Sequence, residues 1–223
     1  MTESKVKLPP WSASSLMAFS SCPHKYYRIR VIKDVKEQPP SDAILLGRKL
    51  HTAFENAVNL NEPLPGEYKG WQGIVDQIKA LPGEKLAEYP LAVDANFQAC
   101  GARCPETFSR GVADLIVLKG DEAIILDYKT GKRRESDQLG LYAAFAFAKW
   151  PELKKVHTAY VWLKARAIDR KSYTRDEVPE LWQRWLPIVR RLEDAYATGE
   201  WLPSPSGLCR GYCPVADCKF CNL

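Results

Sequence analysis

A chain of 223 residues, 46% of them hydrophobic, can bury a core of its own, and its net charge of +5 admits a polyanionic partner without requiring one. No apolar run approaches the roughly 18 residues a membrane span needs, and Met1–Pro10 is too polar for a secretory signal, so neither membrane insertion nor export is expected. Seven is an odd number of cysteines, and Cys209, Cys213, Cys218 and Cys221 crowd one short terminal stretch, which suits metal ligation better than disulfides.

Ser12 reads as the N-cap of a short helix running to Phe19. The segment Ser21-Cys22-Pro23-His24-Lys25-Tyr26-Tyr27-Arg28 follows. It interleaves basic and aromatic residues as a phosphate-backbone contact does, with Lys25, Tyr26 and Arg28 as candidates, or else forms an amphipathic helix face. Asp42 to Leu60 reads as a helix on which Gly47, His51 and Glu55 share one side. There the glycine admits a close neighbour, His51 offers a nitrogen ligand, and Glu55 either orients the imidazole or holds a salt bridge. The plainer alternative is a structural histidine. Asn61 to Gly70 is a Pro/Gly-rich loop, Trp71 to Leu81 a helix, and Lys85 to Phe97 one or two strands. Cys100 and Cys104 lie in the next connection as free loop thiols.

Two β-branched runs come next, Gly111–Leu118 and Ala123–Asp127, joined by a turn over Lys119 to Glu122: a hairpin. Each carries a carboxylate, Asp114 and Asp127, where a buried strand would carry an aliphatic residue, and such a charge is costly unless compensated. Lys129, two residues past Asp127, shares its strand face. Two acids and a lysine converging would hold a hard divalent cation, Mg2+ or Mn2+, with a water beside it; the alternative is strand-end acids paired with nearby bases. Gly131-Lys132-Arg133-Arg134 is a basic turn. Ser136 to Trp150 is a helix whose Gln138 and Tyr142 face one way, to reach a phosphate or water near Lys129 or merely to cap and pack. Val156–Leu163 and Ala167–Tyr173 are further strands. Asp176–Thr198 is one long helix, kinked at Pro187, with Trp182, Trp185, Val189 and Leu192 as its apolar stripe. Leu202–Gly207 is an extended linker.

Taken in order, Gly47-x3-His51-x3-Glu55, Gly111-Val-Ala-Asp114, Asp127-Tyr-Lys129-Thr-Gly131 and Gln138-x3-Tyr142 resemble the motifs of RecB-type nucleases in the PD-(D/E)XK superfamily, over about residues 12 to 221. The resemblance implies an α/β fold with a mixed central sheet flanked by helices, the restriction-endonuclease-like core, in a single nuclease domain over residues 1–223. It implies His51, Asp114 and Asp127, with the Tyr128 backbone carbonyl, as ligands of Mg2+ or Mn2+. Lys129 would orient or deprotonate the attacking water, and Gln138 and Tyr142 would contact the scissile phosphate. Lys132, Arg133 and Arg134 join Lys25, Tyr26 and Arg28 as expected DNA contacts.

Cys22-Pro23 and Cys209-x3-Cys213-x4-Cys218 resemble the iron–sulfur subgroup that includes the CRISPR-adaptation exonucleases and the AddB nuclease domain. That likeness implies a 4Fe-4S cluster held by Cys22, Cys209, Cys213 and Cys218, in a Cys-rich metal-bound terminal subdomain over 200–223 that closes onto the Cys22 region. The subgroup's usual late spacing is C-x2-C-x5-C; here the middle cysteine is displaced by one residue, the span is unchanged, and Cys221 is surplus. Cys209, Cys213, Cys218 and Cys221 form the alternative set, for structural Zn2+. The expected activity is metal-dependent DNA exonucleolysis in recombination, repair or phage DNA processing, in the cytoplasm of a bacterium or a phage-infected host. Its substrate would be single-stranded DNA or a duplex end, and its partner a second copy or a recombination protein. The alternatives are an endonuclease, and a non-catalytic DNA-binding or recombination-accessory protein that keeps the nuclease fold.

Overall fold

The computed structural model describes residues 8–134 and 136–221. Its elements in chain order are α1 (Ala13–Ser21), α2 (Pro23–Tyr26) running into a π-helical turn at Tyr27–Val31, α3 (Asp42–Asn59), a 3-10 turn at Gly66–Trp71, α4 (Gln72–Ala80), β1 (Glu84–Val93), β2 (Ser109–Lys119), β3 (Glu122–Lys129), α5 (Gln138–Lys149), β4 (Lys155–Trp162), β5 (Ala167–Thr174), α6 (Val178–Gln183) and α7 (Leu186–Thr198). They form two compact units. One is continuous from Pro40 to Arg184; the other combines the chain up to Pro39 with the chain from Trp185 onward. Among the described residues no helix is long and apolar enough to cross a membrane.

The continuous unit carries a mixed five-stranded sheet in the order β1-β2-β3-β4-β5. β2 and β3 are the expected hairpin, with Gly120 at φ 60 in its turn, the left-handed conformation that tight hairpin turns demand. β3 and β4 run parallel, a pairing that needs a crossover, and α5 supplies it. The whole stretch from Leu139 to Phe147 is buried, because α5 packs on the sheet and is covered by α6, Phe145 lying 5.7 Å from Trp182. That is why its sequence is apolar all round. At its far end the Arg175 guanidinium donates to the carbonyls of Phe147, Trp150, Pro151 and Leu153, gathering the helix terminus and the turn into β4.

Leu50 and Phe54 of α3 and Val75 and Ile78 of α4 meet Leu115, Val117, Leu126, Tyr128, Ala159 and Val161 in one buried cluster. The strand members alternate, so Asp127, between Leu126 and Tyr128, belongs to the other face.

In the second unit Ser12 caps α1 as expected: Ser15 N–H donates to its hydroxyl, and its own N–H donates to Ser15 Oγ. Trp11 stacks on Trp185 at 6.4 Å and Tyr27 on Trp201 at 5.0 Å. The single kinked helix expected over Asp176–Thr198 is instead two helices, with Arg184 and Trp185 between them. Pro187 has no N–H to give the carbonyl four residues back, and its ring crowds that carbonyl. The helix therefore stops and restarts with Pro187 in the first turn of α7. Trp182, Trp185, Val189 and Leu192 are all buried, as a core stripe should be.

Phe54 is fully buried with its ring centroid 4.6 Å from that of Tyr128. Phe54→Ala should destabilise the protein by about 3–5 kcal/mol, seen as a lower urea midpoint. A change within 1 kcal/mol would mean the cluster does not carry the fold.

Candidate active site

Pairing between β2 and β3 ends at Leu115 opposite Leu126. Just beyond, the Tyr128 N–H donates to Asp114 Oδ2 at 2.6 Å, so a side-chain carboxylate stands where a strand carbonyl would. Pairing between β1 and β2 lapses at the same level, running from Ala87 opposite Leu115 to Tyr89 opposite Ala113. The residue skipped on β1 is Glu88, whose φ of 48 is a costly conformation for a residue with a side chain. Both departures open the sheet at one spot.

His51, from α3, fills it. Its Nε2 lies 2.9 Å from the Tyr128 carbonyl oxygen, and its Nδ1 lies 3.2 Å from Asp114 Oδ1 and 3.7 Å from Glu88 Oε1. One ligand atom from each of His51, Glu88 and Asp114 lies within 4.8 Å of the others, a spacing a single cation can bridge. Burial works against a charged imidazole, but the hydrogen bonds to Asp114 and Glu88 outweigh it and push His51 up to about 10. At neutral pH both ring nitrogens therefore donate, and the proton on Nδ1 sits between the acids where a cation would sit. Orientation of the ring falls to Asp114 and Tyr128; Glu55 lines the groove outside.

Asp127 is 2% exposed, and Lys129 Nζ is 2.6 Å from its Oδ2. The pair lies off the hydrogen-bonding axis, and Oδ2 has no hydrogen-bond partner among the described residues. Burial raises this carboxyl most, the Asp114 charge adds to it, and Lys129 only partly offsets them, leaving Asp127 at about 7. A buried acid held this high is short of positive charge, which is what a bound cation provides.

Gln138 Nε2 donates to the Tyr142 hydroxyl at 2.8 Å. The Tyr142 ring occupies the space above Gly111, where a Cβ would come within 2.4 Å of Cε1, so the glycine of Gly111-Val-Ala-Asp114 is what admits the ring. Burial raises the Tyr142 hydroxyl, and the Asp127 and Asp114 charges add to it. Gly47 plays a similar part against Thr130, whose Oγ1 would lie 3.2 Å from an added Cβ. A groove of about 740 Å3 runs past Gly47, His51 and Thr130, lined by Arg48, Lys129, Lys132 and Arg134 as well as Glu55 and Glu88. Arg133 turns away into an ion pair with Asp169.

Of the expected ligands, His51 and Asp114 come together. The Tyr128 carbonyl is engaged by His51, and Asp127 stands beside Lys129, outside the triplet. Glu88 completes the triplet and escapes a reading of the sequence, because Glu84 and Lys85 nearby make its strand look solvent-facing.

In the other unit, Cys22, Cys209, Cys213, Cys218 and Cys221 line one small pocket. Backbone N–H groups of Lys25 and Ser204 donate to Cys22 Sγ at 3.4 and 3.5 Å, and that of Ser206 to Cys209 Sγ at 3.4 Å. Burial raises the Cys221 thiol, and the Cys213, Cys218 and Cys209 sulfurs add to it. Among the described residues no three of these sulfurs lie within 4.8 Å of one another. Lys25 lines the same pocket. Two expected DNA contacts are otherwise engaged: Tyr26 is 6% exposed, packed with Phe19 and Trp201, and Arg28 is chelated by Asp34 and Asp217. Cys100 and Cys104 are free thiols in a loop, both against the Thr107 hydroxyl.

The PD-(D/E)XK nuclease superfamily profile matches residues 10–218, and the chain belongs to that family. The crystal structure of a Eubacterium rectale protein described as a candidate exonuclease matches with a TM-score of 0.52 at 14% identity, covering 95% of this chain and 86% of that one. The crystal structure of SSO0001 matches with a TM-score of 0.48 at 17% identity, covering 97% and 90%. At such identities the likeness is one of fold. No curated protein sequence matches.

Because a cation must displace the His51 proton, Mn2+ binding should release protons and tighten as pH rises toward 10. Calorimetry in buffers of different ionisation enthalpy would read this directly, and identical heats in all buffers would contradict it. Glu88→Gln should weaken Mn2+ binding on the order of ten- to a hundredfold; unchanged affinity would remove Glu88 from the site.

Proposed function

We propose that the chain is a Mg2+- or Mn2+-dependent deoxyribonuclease that hydrolyses phosphodiester bonds from strand ends, in recombination, repair or phage DNA processing. One observation carries this reading: His51, Glu88 and Asp114 meet within 4.8 Å in a nuclease-family fold, with the Asp127–Lys129 pair on the adjoining strand. End-directed cutting draws on the RecB-type order of the motifs and on the description of the Eubacterium rectale neighbour.

In this reading His51, Glu88 and Asp114 would hold the cation, with Asp127 and the second lone pair of the Tyr128 carbonyl as further oxygens. A carboxylate-rich set with one imidazole suits Mg2+ or Mn2+. Bound there, the ion supplies Lewis acidity and a lowered pKa for water. The protein's own groups do the positioning. The His51 Nε2–H, held by the Tyr128 carbonyl, fixes the ring so that Nδ1 keeps facing the two acids. Lys129, on the face of Asp127, orients the attacking water and offsets negative charge developing on the phosphoryl oxygens. Gln138 and Tyr142 act as one hydrogen-bonded unit against the scissile phosphate, while Arg48, Lys132 and Arg134 hold its neighbours.

The same proposal treats the chain as one nuclease domain whose Cys-rich segment, residues 200–223, closes onto the Cys22 region around a 4Fe-4S cluster on Cys22, Cys209, Cys213 and Cys218. Support comes from the shared pocket and from the Ser204 N–H on Cys22 Sγ. A zinc site on Cys209, Cys213, Cys218 and Cys221 is the second reading, favoured by the three sulfurs that surround Cys221. Either centre would be structural.

Purified protein with Mn2+ should degrade end-labelled linear DNA and spare closed circles. Asp127→Ala and Lys129→Gln should each lose about a hundred- to a thousandfold in rate; cut circles would make it an endonuclease, and an active Asp127→Ala protein would remove this site. Anaerobically purified protein should contain iron and absorb broadly in the visible, both lost in Cys22→Ala. Zinc alone would establish the second reading.

A further inference from the structure

Beside the catalytic groove lies a second hollow, of about 810 Å3, on the outer half of the sheet. Five cations line it, Arg133, Arg134, Arg170, Lys171 and Arg184, against two carboxylates, Asp137 and Asp169. Both acids are already taken: Asp169 by Arg133 and by the Trp162 indole N–H, and Asp137 by Arg184. Arg134, Arg170 and Lys171 therefore have no carboxylate partner among the described residues. Arg134 comes from the turn before α5 and Lys171 from the edge strand β5, on the face that carries Asp169 and Tyr173, and both line one concavity; Arg170, paired with Ala159 of the buried cluster, belongs to the other face and only borders it.

The hollow is continuous with the candidate active site. Arg134 lines both the hollow and the groove that holds His51, Glu88 and Lys129. Across the sheet, Asp127 is level with Tyr160 of β4 and Asp169 of β5, so the hollow begins two strand spacings, roughly 10 Å, from the acid. Charge on an edge strand has a plainer use, since lysine and arginine there discourage pairing with another chain. That use accounts for Arg170 and Lys171 but not for Arg134, which lies off the strand and faces the same space.

We propose that this hollow is the track for the phosphodiester backbone on one side of the cut, with Arg134 as the join and Lys171 as the outer phosphate contact. The inference rests on the nuclease reading and extends it by assigning where the uncut strand lies. Both side chains are exposed, so their replacement does not disturb the core.

The test is equilibrium binding of a fluorescently labelled oligonucleotide of about 20 residues, single-stranded or duplex, to Arg134→Gln/Lys171→Gln protein. Anisotropy is read in Ca2+ across a salt series, with unchanged circular dichroism as the check on folding. The variant should bind at least about tenfold more weakly at low salt. Its slope of log affinity against log salt should fall by about 1.4, from two phosphates at roughly 0.7 each on a single strand, or slightly more on a duplex. Loss on the single strand alone assigns the track to single-stranded DNA, and loss on both assigns it to a duplex end. A Lys69→Gln/Lys119→Gln protein removes equal charge from other exposed positions and should keep the parent's slope. Unchanged binding by the first variant, or equal loss by both, overturns the proposal. Cleavage by the parent in Mn2+ separates the two readings: weakened variant binding without any parental cleavage keeps the track and removes the nuclease, whereas parental cleavage with unaltered variant binding removes the track alone.

Discussion

Everything at the site depends on how the Tyr128 peptide group is satisfied. Its N–H and its carbonyl face the side of β3 where β2 has already stopped pairing, and buried backbone groups there must find partners. They find Asp114 and His51. Two side chains thus replace a strand, and in doing so each is fixed: the carboxylate by a 2.6 Å bond, the imidazole by a 2.9 Å one. Asp127 and Lys129, on either side of Tyr128, inherit their positions from the same clamp. Phe54 beneath the Tyr128 ring anchors it from the core side. The reactive groups are held by the same contacts that end the sheet.

The electrostatics follow from that geometry. Asp114, Asp127 and Glu88 are crowded near a strand end with limited access to water, and only Lys129 and the His51 proton oppose them. Two upward shifts tell the same story: the imidazole is held protonated well above its usual range, and a buried carboxyl is kept from ionising easily. Both are responses to missing positive charge, and both point into the same space. In the reading proposed above, such a site would accept a cation at neutral pH by giving up one proton. The strained backbone at Glu88 belongs to the same account, since a strand of ordinary φ would alternate past the site rather than turn an acid toward it.

Much of this is legible in the sequence, for definite reasons. Asp114 and Asp127 stand out because aliphatic neighbours surround them, and Lys129 follows from strand periodicity alone. The hairpin, the helix bearing His51 and the strands after α5 are marked by local patterns that survive in the fold. Glu88 is not marked, because its role arises from register against β2 and from a backbone angle no composition announces. Tyr26 and Arg28 illustrate the converse: an aromatic and basic run looks like a nucleic-acid surface until the nearby Asp34, and Trp201 and Asp217 from far along the chain, engage it. The gap between α6 and α7 was signalled by Pro187, but whether a proline bends or breaks a helix is decided by what each half packs against.

The unit that gathers the cysteines is discontinuous, and this has a consequence for biosynthesis. Cys22 emerges from the ribosome before its neighbours in the pocket, which begin at Cys209, with the whole sheet unit encoded between them. At translation rates of roughly 5–20 residues per second, the first thiol waits on the order of ten to forty seconds for its companions. The sheet can fold in that interval, but the pocket cannot close until Cys209 and the thiols after it have emerged, and through that wait Cys22 stands open to oxidation.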